Sequence, residues 1–201
     1  MQQTSATDLQ TIRAALEANS RLTSLSGGAL VASGVLAFLA AGFTSQVGMA
    51  ESPARAGLAG ETLTNLVILW GATLVLSVFL NLLGMLHRAR KDGQPLAARL
   101  GRRVLFAMLP ALAVGGALTL GLAMQGKLEF IFGVWMLCYG AALIAASAHS
   151  LTSVRMLGIF TLIGGLLGVI PGLNLDFIMY TSTFGAGHFL LGTWVGVRYG
   201  W

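Results

Sequence analysis

Six long apolar stretches, none of which contains an Asp, Glu, Lys or Arg, occupy most of this chain. A bilayer has a hydrocarbon core of about 30 Å, which a helix of about 20 apolar residues crosses. Lipid offers no hydrogen bonds to an open backbone, so such stretches must be helical. The sequence therefore predicts an all-α integral membrane bundle of six transmembrane helices, paired as three helical hairpins, over residues 23–43, 63–86, 104–124, 130–148, 156–172 and 177–197.

Composition leaves little mass for a soluble domain. Of the 201 residues, 56% are apolar and 9% are charged, whereas a soluble domain carries about 25% charged residues. The net charge of +5 at pH 7 would suit a nucleic-acid binder. The basic residues lie between the apolar stretches, however, where membrane topology accounts for them. We expect two parts and no nucleic-acid partner: a cytoplasmic amphipathic segment over residues 1–22 and a six-span domain over residues 23–201.

The distribution of Lys and Arg predicts the orientation of the helices. With the N-terminus inside, the inner side holds ten basic residues and the outer side holds two, Arg55 and Lys127. Inner loops of membrane proteins are enriched in Lys and Arg, so both termini are predicted to be cytoplasmic. Four acids mark the predicted outer loops: Glu51, Glu61, Glu129 and Asp176.

The predicted inner loop between the second and third stretches is strongly basic. Residues 87–103 contain six Lys and Arg and one acid, Asp92. Such a cluster attracts anionic lipid headgroups, at about 1 kcal/mol per basic residue. A plain topology signal is the alternative interpretation. The candidate headgroup-binding residues are Arg88, Arg90, Lys91, Arg99, Arg102 and Arg103.

A short amphipathic helix is predicted before the first stretch. Leu9, Ile12 and Leu16 recur at helical spacing. Thr7 followed by Gln10 fits a capping box at the start of a helix. The segment is expected to lie on the cytoplasmic membrane surface, either as an anchor or as a docking element for a partner.

Two small-residue phrases recur along the chain and favour three repeated hairpins in parallel orientation. The odd stretches each contain a Gly pair, beginning at Gly27, Gly115 and Gly164. The even stretches share a phrase centred on Gly71, Gly140 and Gly187.

Glycines also mark the predicted contact faces of the last two helices. Gly185, His188 and Gly192 share one face of the last stretch, and glycines of the fifth follow similar spacing. Small residues let membrane helices approach closely, so these two faces are predicted to pack against each other. The candidate packing residues are Gly164, Gly165, Gly168, Gly185 and Gly192.

His188 is the most informative single residue. It lies near the middle of the last stretch, where a polar side chain is costly and should face the bundle. Its predicted partner is Tyr139, Asn81, Thr73 or a backbone carbonyl. Three interpretations stay open: a neutral histidine bonded between helices, a proton relay or ligand contact, and a metal or haem ligand.

Motifs of common catalytic chemistry are absent from the sequence: it has no HExxH, GxSxG, P-loop or CxxC. The single cysteine, Cys138, cannot form an internal disulfide. No second histidine lies at the depth of His188 to complete a haem site with it. His87 and His149 lie at similar depth at the inner ends of stretches, but interfacial histidines are usually solvated, so a haem between them is disfavoured. Trp70, Trp135, Trp194 and Trp201, with Tyr180 and Tyr199, are interpreted in part as interfacial belts. We expect no catalytic residues, no metal site and no cofactor.

Several phrases resemble an uncharacterised family of small bacterial inner-membrane proteins. They are Asp8-Leu9-x-x-Ile12-Arg13, Leu22-Thr23-x-Leu25-Ser26-Gly27, Trp135-x-Leu137-x-Tyr139-Gly140, Phe184-Gly185-x-Gly187-His188-x-x-x-Gly192 and Arg198-Tyr199-Gly200. Leu22 departs from the pattern, which has an aromatic residue there. The resemblance implies a six-span architecture in a bacterial inner membrane and singles out His188. It implies no activity.

The predicted function is that of a non-enzymatic accessory, scaffold or sensor subunit of a larger membrane complex. Its expected partners are membrane lipids with anionic headgroups and other membrane subunits or a second copy of the chain. One alternative is a minimal transporter or channel whose path passes His188. The other is a haem- or quinone-binding redox subunit. The surroundings of His188 distinguish these possibilities, because transport needs a hydrated cavity and a scaffold needs a packed, hydrogen-bonded pocket.

Overall fold

The computed structural model describes residues 25–46, 61–91 and 97–200, and all of its regular elements are helical. The all-α prediction is thus confirmed for this part of the chain. The amphipathic segment over residues 1–22, most of the first outer loop, Asp92 and Trp201 lie outside it. The first five helices are α1 (Gly27–Gln46), α2 (Glu61–Lys91), α3 (Ala97–Met124), α4 (Ile131–Ala146) and α5 (Thr152–Gly168).

The sixth helix, α6, runs without a break over residues 176–199 but changes its winding on the way. It begins as an α-helix at Asp176–Tyr180, becomes a π-helix at Thr181–Gly187 and returns to an α-helix at His188–Tyr199. Short 3-10 turns flank α4, at Leu128–Phe130 and Ser147–His149.

Four of the helical segments are long and apolar enough to cross a membrane: Gly27–Gln46, Thr64–Lys91, Arg99–Met124 and Leu128–His149. Helix α5 is apolar but has 17 residues, which give about 25 Å at about 1.5 Å per residue. Helices α2 and α3 extend beyond their predicted apolar stretches into the basic segment between them. We call the end of the bundle that carries Lys91, Arg99, Arg155 and Arg198 the basic end.

The six helices form a ring in chain order, and α6 returns to pack on α1. As residue numbers rise along one helix, the numbers of the residues that it contacts on the neighbouring helix fall, so adjacent helices are antiparallel. On α1 and α2, for example, Ser33 meets Asn81 whereas Thr44 meets Trp70. Helices α2 and α3 are the least enclosed, and they pack together near the basic end through Met85, Ala89 and Leu100.

The predicted contact between the glycine faces of α5 and α6 is wrong for Gly185 and Gly192. These two glycines face α1 instead. A Cβ atom on Gly185 would lie 2.7 Å from the Phe38 ring, and one on Gly192 would lie 2.6 Å from the Val31 nitrogen. Helical spacing identifies a small-residue face, but the closure of the ring decides which helix covers it.

The glycines of α5 divide between two neighbours. Gly165 packs on α4, where a Cβ atom would lie 2.7 Å from the Leu137 nitrogen. Gly164 and Gly168 do face α6: their Cβ atoms would meet Thr183 at 3.4 Å and Asp176 at 3.1 Å, respectively. Helix α5 is therefore enclosed on two sides by close backbone contacts.

The Gly pairs of the three hairpins occupy unlike surroundings. Among the Gly pairs, Gly27 lies against Gly196 of α6 and Gly115 lies against Cys138 of α4. In the even-stretch phrase, a Cβ atom on Gly71 would have no neighbour within 4 Å. The recurring phrases therefore do not make recurring contacts.

Candidate functional site

One face of α6 carries a row of rings into the middle of the bundle. Phe177, Tyr180, Phe184 and His188 follow one another at spacings of three, four and four residues, which place them on the same side of a helix. Tyr180 and His188 are buried and the two phenylalanines are half-buried. We call this row the ring column; its spacing is visible in the sequence, but the row was not predicted from it.

Helices α2 and α4 add three further rings to the ring column. The Trp70 ring lies 4.8 Å from Tyr180 at 87°, and Phe132 lies 4.6 Å from Tyr180. Tyr139 lies 4.8 Å from Phe184. Aromatic pairs favour tilted or edge contacts at about 4.5–7 Å between centroids. The ring column therefore joins three helices through well-packed aromatic contacts.

His188 ends the ring column, and both of its ring nitrogens have a partner. Nε2 lies 2.8 Å from Tyr139 Oη, and Nδ1 lies 3.2 Å from the Thr183 carbonyl oxygen. A carbonyl oxygen only accepts, so Nδ1 carries the proton and donates to it. In the neutral ring Nε2 then accepts the Tyr139 hydroxyl proton. The side chain is 6% exposed and stacks on Phe184 at 10°.

The carbonyl that accepts from the His188 side chain lies in the π-helical segment of the same helix. Thr183 precedes His188 by five residues and belongs to Thr181–Gly187. Residues 181–187 read Thr-Ser-Thr-Phe-Gly-Ala-Gly, and β-branched residues and glycine are weak α-helix formers. That composition was the only sequence signal for the change in winding, and the prediction of a plain helix missed it.

Of the alternatives predicted as partners of His188, Tyr139 and a backbone carbonyl are the ones observed, and Asn81 is not a partner. Its Nδ2 donates to Ser33 Oγ at 2.8 Å and to the Ser77 carbonyl at 2.9 Å. Thr73, the other predicted partner, donates to the Leu69 carbonyl of its own helix. Asn81 instead ties α2 to α1 through a hydroxyl that the sequence did not single out.

Trp70 and Tyr180, which were interpreted in part as interfacial, both belong to the ring column. Trp70 Nε1 donates to Thr44 Oγ1 at 3.2 Å, and Thr44 is buried. An indole N–H in an apolar interior needs an acceptor. Thr44 supplies it from α1, so this bond and the Asn81 bond fix α2 on α1 at two depths.

Arg88 does not face lipid headgroups, which corrects its predicted role. Its side chain is 9% exposed. Its guanidinium donates to the carbonyls of Leu25, Tyr199 and Gly200. It therefore joins α2 to the start of α1 and to the end of α6. The other five predicted headgroup residues are exposed: Arg90, Lys91, Arg99, Arg102 and Arg103.

Asp176 was expected in an outer loop and is instead the first residue of α6, 1% exposed. Helix N-termini favour a negative charge, which suits an acid at this position. The burial comes from the close approach of α5 at Gly168, a tertiary contact without a local sequence signal.

Neither family models, nor curated proteins, nor solved structures match the chain.

Proposed function

We propose that this chain is a six-span, non-enzymatic protein of a bacterial inner membrane that serves as an accessory, scaffold or sensor subunit of a larger membrane complex. Four helices have the length and composition of spans. The proposal adds α5 and α6, whose apolar sequences and antiparallel packing make them further spans. The positive-inside rule then places the basic end and both termini in the cytoplasm.

The proposal rests on the hydrogen bonds that polar side chains form inside the bundle. His188, Tyr139, Asn81 and Trp70 form hydrogen bonds with partners on this same chain. Hydrogen-bonded polar side chains in a membrane interior hold helices together. A transport path needs polar groups that face a passage, whereas these groups bond to side chains and backbone carbonyls of the bundle itself.

A subunit role also fits the outer surface of the bundle. Helices α2 and α3 present many exposed apolar side chains, including Val75, Phe79, Phe106 and Leu120. Such surfaces suit contact with lipid, a further membrane subunit or a second copy of the chain.

Transport past His188 is the second candidate, and the π-helix favours it. Single π-helical turns inside α-helices are frequent at functional sites. In a transport path along α6, the hydrogen-bonded pair Tyr139–His188 would be the polar group that contacts the transported species. A redox role is the weakest of the three, because Tyr139 occupies Nε2, a nitrogen through which a histidine would bind haem iron.

Two measurements on the full chain separate these functions. Light scattering of the protein, purified from its native membrane in mild detergent, should show an assembly of fixed stoichiometry rather than a single chain. Liposomes containing the protein should show no proton flux above empty liposomes. A single chain in detergent, together with a flux that H188Q abolishes, would replace the subunit proposal with the transporter.

A further inference from the structure

We propose that the outward face of α3 at the basic end binds an anionic phospholipid, with the headgroup on its arginines and an acyl chain along the apolar side chains that follow. The inference rests on the proposed membrane orientation, which places this end at the level of the headgroups.

The arginines of α3 share one face. Arg99, Arg102 and Arg103 are followed by Phe106, at helical spacings of three, four and seven residues from Arg99. All four side chains are exposed. Leu100 lies on the other side of the helix, where it is buried with Met85 and Ala89 of α2. That buried contact fixes the rotation of α3 and turns the arginines away from the bundle.

The same face becomes apolar within two turns. Phe106 is 62% exposed, and Leu105 and Leu109 beside it are also exposed. The order along the helix is therefore guanidinium groups first and apolar side chains next. A phospholipid presents the complementary order, a phosphate followed by acyl chains.

The length of α3 puts the arginines at the right depth. The helix has 28 residues, or about 42 Å at about 1.5 Å per residue. The hydrocarbon core is about 30 Å thick, so the first turns of α3 project into the headgroup region. A continuous helix places Arg99, Arg102 and Arg103 on one face at a common end.

Charge complementarity selects an anionic lipid. Arginine binds phosphate through paired N–H donors, and Arg90 and Lys91, exposed at the end of α2, add positive charge at the same end. Arg88 takes no part, because it is buried on backbone carbonyls. The structure thus separates one internal arginine from the five exposed residues of the basic segment.

Native mass spectrometry of the detergent-purified chain tests the site. The probes are dioleoyl phosphatidylglycerol and dioleoyl phosphatidylcholine, which share acyl chains and differ in charge. We expect the anionic lipid to bind more tightly. The double variant R102Q/R103Q should weaken its binding about 30-fold, at about 1 kcal/mol for each basic residue. F106A should weaken it further, because the acyl contact is lost.

R198Q is the matched control, since Arg198 is exposed at the same end but lies on α6; its affinity should stay within about twofold of the unmodified chain. If the double variant unfolds at a markedly lower temperature, the single variant R103Q should still bind the anionic lipid about fivefold more weakly than the unmodified chain. Equal binding of both lipids, an equal loss in R198Q or displacement of the lipid by soluble glycerol phosphate would each overturn the proposal. Binding in micelles does not depend on a protein partner, so the subunit proposal can fail while this one stands.

Discussion

At the scale of single residues, the Tyr139–His188 pair shows how a membrane interior accommodates polar side chains. His188 donates to the Thr183 carbonyl and accepts from Tyr139, so neither ring nitrogen is left without a partner. In an apolar interior a polar group without a partner is costly. The pair therefore favours one arrangement of α4 against α6.

Replacing Tyr139 with Phe should destabilise the protein. The ring and its contact with Phe184 remain, but Nε2 of His188 loses its donor, which costs about 1–3 kcal/mol. H188Q should be milder than H188L, because glutamine can still donate and accept. Thermal unfolding in detergent measures both effects.

Y199F is the control for Y139F, because Tyr199 is 40% exposed and the same hydroxyl is removed. Its melting temperature should match that of the unmodified chain. Equal melting temperatures for Y139F and Y199F would mean that the buried hydrogen bond does not contribute to stability.

At the scale of helices, α1 and α6 are joined by backbone contact rather than by large side chains. Gly27 and Gly34 on α1 face Gly196, Gly192 and Gly185 on α6. Lipid tails are as apolar as leucine, so helices in a membrane associate through close van der Waals packing of this kind. At the basic end, Arg88 of α2 links α1 and α6 by donating hydrogen bonds to the carbonyls of Leu25 and Tyr199.

G27A should destabilise the protein although it adds one methyl group. Its Cβ atom would lie 2.6 Å from the Gly196 Cα atom, so the two backbones must separate. Overpacking of this kind costs about 1–3 kcal/mol. Thermal unfolding in detergent should show the loss.

The adjacent G28A is a close control for G27A. Its Cβ atom would meet only Ser26 Oγ, at 4.0 Å. Alanine is favoured over glycine in a helix by about 0.5–1 kcal/mol, so G28A should be neutral or slightly stabilising. If both variants unfold alike, the tight contact between α1 and α6 does not exist.

At the scale of the whole molecule, the ring closes because α6 returns to α1. This closure encloses α4 and α6, leaves α2 and α3 widely exposed, and brings the start of α1, the end of α2 and the end of α6 together at Arg88. Among the described residues, every Lys and Arg except Lys127 lies at that same end, so the bundle has one basic end and one end with little positive charge.

Reporter fusions test the orientation of the bundle. Fusions after Arg99 and after Trp201 should both report the cytoplasm, since Lys and Arg are retained on that side. A fusion after Lys127, in the turn between α3 and α4, should report the opposite side. A periplasmic signal at Arg99 or at Trp201 would contradict the six-span topology.

The sequence by itself determined the six apolar helices, their approximate limits and the side chains that share a face. These are local properties: apolar length, charge position and the 3.6-residue period suffice to deduce them. The shared face of Gly185 and Gly192 on α6, and Tyr139 as one of the possible partners of His188, could be predicted in this way.

Only the tertiary structure decided which faces meet. Hydrophobicity cannot distinguish a face that packs on a helix from one that meets lipid, because both surroundings are apolar. The return of α6 to α1 brings together the carbonyls on which Arg88 turns inward, and the packing of α2 on α1 gives Asn81 and Trp70 their partners. The π-helix at Thr181–Gly187 could not be deduced from periodicity either, since the sequence there weakens the α-helix but does not specify the wider winding.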